Sequence, residues 1–283
     1  MAEIKARTRV GSGWLVRVTH PSIECGVDMT FAVFIPALDY ASSPSGSYPM
    51  LFYLSGLTCT DENACQKLGG FPALSAAGLA CVFPDTSPRG CGIEGEADSW
   101  DFGVGAGFYV DATEEPWKRN WRMYSYCVSE LPKLLSTTFP CLDLTRAGVT
   151  GHSMGGHGAL VLALRNPTVF KSVSAFAPIS NPSLCPWGQK AFRGYLGGSE
   201  ETWSQYDSTH LISSSSFDDI LIDVGTADTF LKQGQLLPEN LEAAAAAAGK
   251  KITLRRQEDF GHDFYFYGTF WPDHIAHHKA RLL

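Results

Sequence analysis

Two short runs of unbroken apolar residues, Met50 to Leu54 and Leu79 to Phe83, mark the first third of the chain. A strand with one wet face alternates apolar and polar positions, so continuous runs of about five fit strands buried on both faces. Trp14 to Thr19 and Met29 to Pro36 are rich in β-branched and apolar residues and also predict strands. Ser, Pro and Gly in Tyr40 to Tyr48 predict a loop, and Asp61 to Ala77 predicts a helix. Further on the pattern alternates. Met123 to Ser136 predicts a helix with a candidate kink at Pro132, Arg146 to Thr150 a strand, and Met154 to Arg165 a helix stopped by Asn166-Pro167. Ser172 to Phe176 and Ile220 to Val224 predict strands. Pro238 to Ala248 predicts an Ala-rich helix closed by Gly249, Ile252 to Arg256 a last strand, and Phe264 onward a terminal helix. Early strands followed by βα units predict an α/β fold, with a mainly parallel central sheet flanked by helices on both faces. No linker divides the chain, which reads as a single domain over residues 1–283. The longest irregular stretch, Asp85 to Trp117, is of a length that usually serves a site.

Composition narrows the function classes. The chain has 283 residues, 45% of them hydrophobic, and a formal net charge of −7. That charge argues against binding nucleic acid through its phosphates. The 8 cysteines form no C-x-x-C pair, and no Cys/His spacing suggests a metal site. The start, MAEIKARTRV, lacks the apolar region of an export signal, and no apolar run reaches the roughly 18 residues that span a bilayer. The cysteines therefore read as reduced thiols of a cytoplasmic protein.

Gly151-His152-Ser153-Met154-Gly155 fits G-x-S-x-G, entered by an apolar strand and left by a helix. In that context the turn holds Ser153 in strained dihedrals at the carboxyl edge of the sheet, with the helix N-terminus beneath it. The alternative is a Gly-rich turn with an idle serine. A serine hydroxyl needs a base. Of the six histidines after Ser153, His157 should point away from the attack face, and His274, His277 and His278 read as an exposed helical end. His262 follows the last strand and is the candidate base. The acid should follow the strand Ile220 to Val224; Asp228 is the candidate, with Asp223 the alternative. The N–H of Met154 is one candidate oxyanion donor. The N–H of Leu57, in the loop Ser55 to Thr60 after an early central strand, is the other.

Beyond the serine turn, the segments LSGLTCTDEN, PDTSPRGC, SWDFGVGAGFYVDAT, MYSY, GHSMGGHGAL and SAFAPISNPSLCPWGQKAF occur in order. With the Asp228 and His262 neighbourhoods, they make the chain resemble the S-formylglutathione hydrolase (esterase D) family from end to end. The resemblance implies an α/β-hydrolase fold and a serine thioesterase that hydrolyses S-formylglutathione to glutathione and formate, in formaldehyde detoxification. It implies no cofactor, a cytoplasmic setting and, often, a homodimer. It maps the triad onto Ser153, Asp228 and His262, and the oxyanion amides onto Leu57 and Met154. The chain departs from the family beside the base: Phe260-Gly261 and Asp263 stand where Tyr-Asp and Ser are usual. That departure leads us to expect a raised histidine pKa or a shifted pH optimum.

Three further residues are candidates on the substrate side. Cys59 follows the oxyanion loop, where an adduct would block the site, and is otherwise a buried inert thiol. Trp187 and Lys190 are candidates for lining a glutathione groove, with a structural role as the alternative for the tryptophan. Rival functions are a general carboxylesterase or carbohydrate esterase, a fold relative that binds without turnover, and an acyltransferase. The non-catalytic rival usually lacks a triad member, and none is missing here.

Overall fold

A computed structural model of the protein describes residues 2–283. Nine strands form one sheet: β1 (Glu3–Val10), β2 (Gly13–Pro21), β3 (Asp28–Ile35), β4 (Tyr48–Leu54), β5 (Ala80–Pro84), β6 (Leu142–Gly151), β7 (Phe170–Phe176), β8 (Ile220–Gly225) and β9 (Ile252–Gln257). Their order across the sheet is β1-β2-β3-β5-β4-β6-β7-β8-β9. The pairs from β1 to β5 through β2 and β3 are antiparallel, and every pair from β5 onward is parallel. The two continuous apolar runs became β4 and β5, at the middle of the sheet, and their residues are buried on both faces.

Chain order reverses around β4, which has β5 on one side and β6 on the other. Such a switch point opens a crevice beyond the carboxyl ends of the strands, where ligands bind in open α/β sheets. Leu54 of β4 pairs with Gly151 of β6, and Gly225 of β8 with Gln257 of β9. The loops that follow these four strands therefore leave the same edge.

Several elements differ from expectation, among them Met123 to Ser136, where a π-helical turn over Tyr126–Glu130 interrupts the expected helix just before Pro132. β1 was not read as a strand, although Ile4, Ala6 and Val10 alternate with Lys5, Arg7 and Arg9; its side chains are exposed almost throughout. The helix expected over Asp61 to Ala77 is two, Asp61–Lys67 and Phe71–Ala77. Between them Gly69 and Gly70 take φ of 70° and 78°, and a Cβ on Gly70 would stand 2.2 Å from the Trp271 ring. The terminal helix, Phe264–Leu282, packs its histidines inward. His274 bonds Ser174 Oγ and Asp223, and His278 bonds Ser172 and Ser174. The hydroxyls of β7 thus satisfy ring nitrogens that would otherwise be unpaired. His274 and His278 are buried, which corrects the expectation of an exposed helical end. Among the described residues, no helix is long and apolar enough to cross a membrane.

Candidate active site

At the end of β6 the chain turns into the helix Met154–Arg165 through Ser153, at φ 57° and ψ −122°. A non-glycine residue at positive φ is uncommon and costs energy that the surroundings must hold. They do: Ser153 N–H donates to Phe176 O at 2.9 Å, and its carbonyl accepts from His157 N at 3.0 Å. The flanking glycines are required by the close approach of β4. A Cβ on Gly155 would lie 2.0 Å from Leu54 O, and one on Gly151 would lie 2.4 Å from the same atom. Ser153 lines a cavity of about 290 Å³. His157 lies behind, with Nε2 on Phe108 O at 2.9 Å, and burial pushes it down to about 4.

Asp228 and His262 meet across the loops after β8 and β9. His262 Nδ1 lies 2.6 Å from Asp228 Oδ2. The other carboxylate oxygen accepts from the N–H groups of Phe230 and Leu231, at 2.7 and 3.3 Å, so Asp228 is held by a helix start and is fully buried. A carboxylate so held accepts a hydrogen bond from Nδ1–H, which leaves Nε2 with the free lone pair of a ring that lines the same cavity as Ser153. The imidazole is wedged edge-on against Phe230, centroids 4.8 Å apart. Asp223, the alternative acid, is in β8 and tied up by Arg255 at 2.5 and 2.6 Å and by His274. Asp263 caps the terminal helix, accepting from Phe266 N at 2.9 Å, while also lining the cavity.

The loop after β4 is fixed residue by residue. Gly56 N–H donates to His152 Nε2 at 3.0 Å, Gly56 O accepts from Cys59 N at 3.3 Å, and Thr58 N–H donates to Gly105 O at 2.8 Å. Leu57 N–H, between them, and Met154 N–H, opening the helix, donate to nothing among the described residues. A Cβ on Gly56 would sit 3.0 Å from both the His152 ring and Ser153 Cβ, so this loop lies against the serine.

The cavity brings together Ser153, His262, Leu57, Cys59 and Trp187. Burial pushes the Cys59 thiol up to about 11, so at neutral pH it is the unreactive thiol form. Trp187 packs edge-on to Trp100, at 5.5 Å, and against Phe230, at 4.7 Å, making an aromatic wall that leads to His262. Lys190 does not line the cavity; its ammonium is taken by Asp101 and by Ser99 Oγ, which brace the loop carrying Trp100. The cation at the cavity is Lys67, on the same helix face as Asn63, with Nζ 5.5 Å over the Phe264 ring and no acidic partner among the described residues. Its i, i+4 spacing from Asn63, after a loop already suspected, was the available signal. Trp100 came from the long irregular stretch, where no period orients side chains. Two larger depressions lie elsewhere, about 500 Å³ beside Tyr40 and about 580 Å³ beside Trp203; Ser183, His210 and Glu200 line the second, but Ser183 Oγ donates to Asp207 and not to the histidine.

Comparison with known proteins identifies the family. The family model described as "Putative esterase" matches residues 22–280. The chain is similar to the S-formylglutathione hydrolase of Mus musculus, 54% identical over 265 residues that cover 93% of this chain and 92% of that one. It is 52% identical to the S-formylglutathione hydrolase of Arabidopsis thaliana over 277 residues, 97% and 96% of the two chains. A solved structure of an S-formylglutathione hydrolase from Agrobacterium tumefaciens superposes with a TM-score of 0.94 at 42% identity, covering 99% of each chain.

Proposed function

The chain belongs to the S-formylglutathione hydrolase family of esterases, and we infer that it hydrolyses S-formylglutathione to glutathione and formate through an acyl-enzyme. The observation that carries the mechanism is the His262–Asp228 contact of 2.6 Å on the cavity that Ser153 lines. Ser153 Oγ attacks the formyl carbonyl while His262 Nε2 takes its proton. Asp228 holds the tautomer and steadies the imidazolium. The N–H groups of Leu57 and Met154 receive the oxyanion; each such donor is worth ~10²–10³ in rate in serine hydrolases. Glutathione leaves as a thiolate, which needs little acid assistance, and takes up the proton held by His262, so the imidazole is neutral again. Water activated by His262 then releases formate and restores Ser153. The account requires no cofactor.

Glutathione carries two carboxylates and one ammonium. Lys67 suits a carboxylate, Asn63 offers its free amide N–H groups, and Asp263 suits the ammonium. At about 290 Å³ the cavity is near the lower end of ligand pockets, roughly 300–1,000 Å³. It would enclose the thioester, leaving the peptide of glutathione along the mouth between Trp100 and Lys67. Cys59 and Trp187 would form walls there.

We also propose a cytoplasmic setting and a homodimer. Eight free cysteines suit a reducing compartment. The dimer rests on the resemblance, and sedimentation velocity tests it.

The functional test is turnover of S-formylglutathione beside larger acyl thioesters and an aryl acetate. The thioester with the formyl group should be fastest. Slow thioester cleavage with brisk aryl ester cleavage would turn the reading to a general esterase. Faster transfer to an added alcohol than to water would turn it to an acyltransferase.

A further inference from the structure

The geometry points to His152 as the residue that positions the oxyanion loop, by holding the N–H of Gly56 so that the next amide, Leu57 N–H, is left aimed at the reacting carbonyl. The residue sits at the variable place of the serine turn, where position alone gives it no role.

Both ring nitrogens are used. Nε2 accepts from Gly56 N–H at 3.0 Å, and an amide N–H can only donate, so the ring proton is on Nδ1. Nδ1 then donates to Tyr53 Oη at 3.1 Å. The ring is buried and cannot turn. Tyr267 stacks on it at 4.7 Å, Phe264 meets its edge at 5.1 Å, and Tyr53 lies at 5.8 Å. Its backbone N–H is anchored to Leu54 O at 3.2 Å, which ties it to the end of β4.

The loop geometry explains what this achieves. The carbonyl of Gly56 is fixed by Cys59 N–H, and in a trans peptide the following N–H points the opposite way. Gly56 is thus held at both ends, and the free direction of Leu57 N–H follows. Contact at 3.0 Å between the position of a Gly56 Cβ and both the His152 ring and Ser153 Cβ places ring, loop and serine in one packed unit. A histidine suits the place because it accepts at one nitrogen and donates at the other while remaining uncharged. Burial, and then the nearby His262, pushes it down to about 3. When His262 becomes an imidazolium during turnover, no second cation opposes it.

The proposal rests on Ser153 as nucleophile and Leu57 N–H as oxyanion donor. Its test uses an aryl acetate, with wild type and Ser153→Ala alongside. His152→Leu, which cannot accept from Gly56, should lower kcat by ~10–100-fold, less than or equal to the loss of one oxyanion donor, with KM within about threefold. His152→Gln, whose side-chain oxygen can accept, should recover most of that loss. An arylboronic acid that adds to the serine as a tetrahedral anion should lose affinity in His152→Leu by the same factor as kcat/KM. A merely structural histidine would leave that inhibitor's affinity in step with KM instead. Should the leucine variant not fold, His152→Asn, too short to reach Gly56, carries the same expectation. Full activity in His152→Leu, unchanged boronate affinity despite a lower kcat, or an equal loss in His152→Gln would overturn the proposal. An inactive wild type or an active Ser153→Ala would overturn the catalytic reading beneath it.

Discussion

Acid should unfold this protein well above the pH at which its carboxylates titrate, because it buries neutral histidines. His152 and His157 are held down at about 3 and about 4, chiefly by desolvation, and His278 is pushed well below its ordinary value for the same reason. A group whose folded pKa is depressed below its unfolded value, ~6.5 for histidine, binds protons first in the unfolded chain. Stability is then complete above pH ~6.5 and falls as the pH drops toward the folded pKa. At pH 5 the unfolded state of each such histidine gains ~2 kcal/mol by protonating, so His152 and His157 together cost ~4 kcal/mol relative to a pH well above 7. That is comparable with the ~5–15 kcal/mol that holds a typical domain together. Urea unfolding followed by tryptophan fluorescence at pH 7.5, 6 and 5 measures it, and His157→Gln should flatten the dependence by about half of that sum. A midpoint unchanged between pH 7.5 and 5 would refute the reasoning. Unfolding, rather than activity, is the right readout, because protonation of His262 would stop turnover without unfolding the chain.

Asp228→Asn keeps the side chain's size but loses the charge that fixes the His262 tautomer; kcat should fall ~10⁴-fold with little change in melting temperature, checked by steady-state rates and thermal melts. Lys67→Ala should raise KM for S-formylglutathione by roughly 2–5-fold, the worth of an exposed ion pair, and high salt should do the same to the wild type. Gly155→Ala would force a Cβ to within 2.0 Å of Leu54 O and should abolish soluble expression or activity, assayed by yield and active-site titration. Asp263→Ala removes the cap on Phe266 N–H and should cost ~1 kcal/mol in urea unfolding.

How much of this was legible depended on burial. β4 and β5 were plain because both faces of each are covered, which forces unbroken apolar runs. β1 was missed although Ile4, Ala6 and Val10 alternate with charged residues, because one short alternation among so many charges is a weak signal for a strand that stays exposed. The Ser153, Asp228 and His262 segments were legible because strand ends and chain order locate loops, and loops at one sheet edge must meet. The pairing of Lys190 with Asp101 was not legible, since sequence position cannot reveal which carboxylate occupies an ammonium. The histidines of the terminal helix misled for a related reason. Their polarity suggested water, but Ser172, Ser174 and Asp223 supply partners from across the sheet, and pairings that distant leave no local pattern. His152 was hidden by its place in a motif that specifies only its neighbours.

The central claim is that the formyl group passes through Ser153, and trapping it tests that claim most directly. Rapid acid quench of the enzyme during turnover of S-formylglutathione, followed by peptide mass spectrometry, should find one formyl group on the peptide containing Ser153. Ser153→Ala should carry none and turn nothing over. A formyl group on Cys59, whose thiol is held up at about 11, or brisk hydrolysis by Ser153→Ala, would contradict the account.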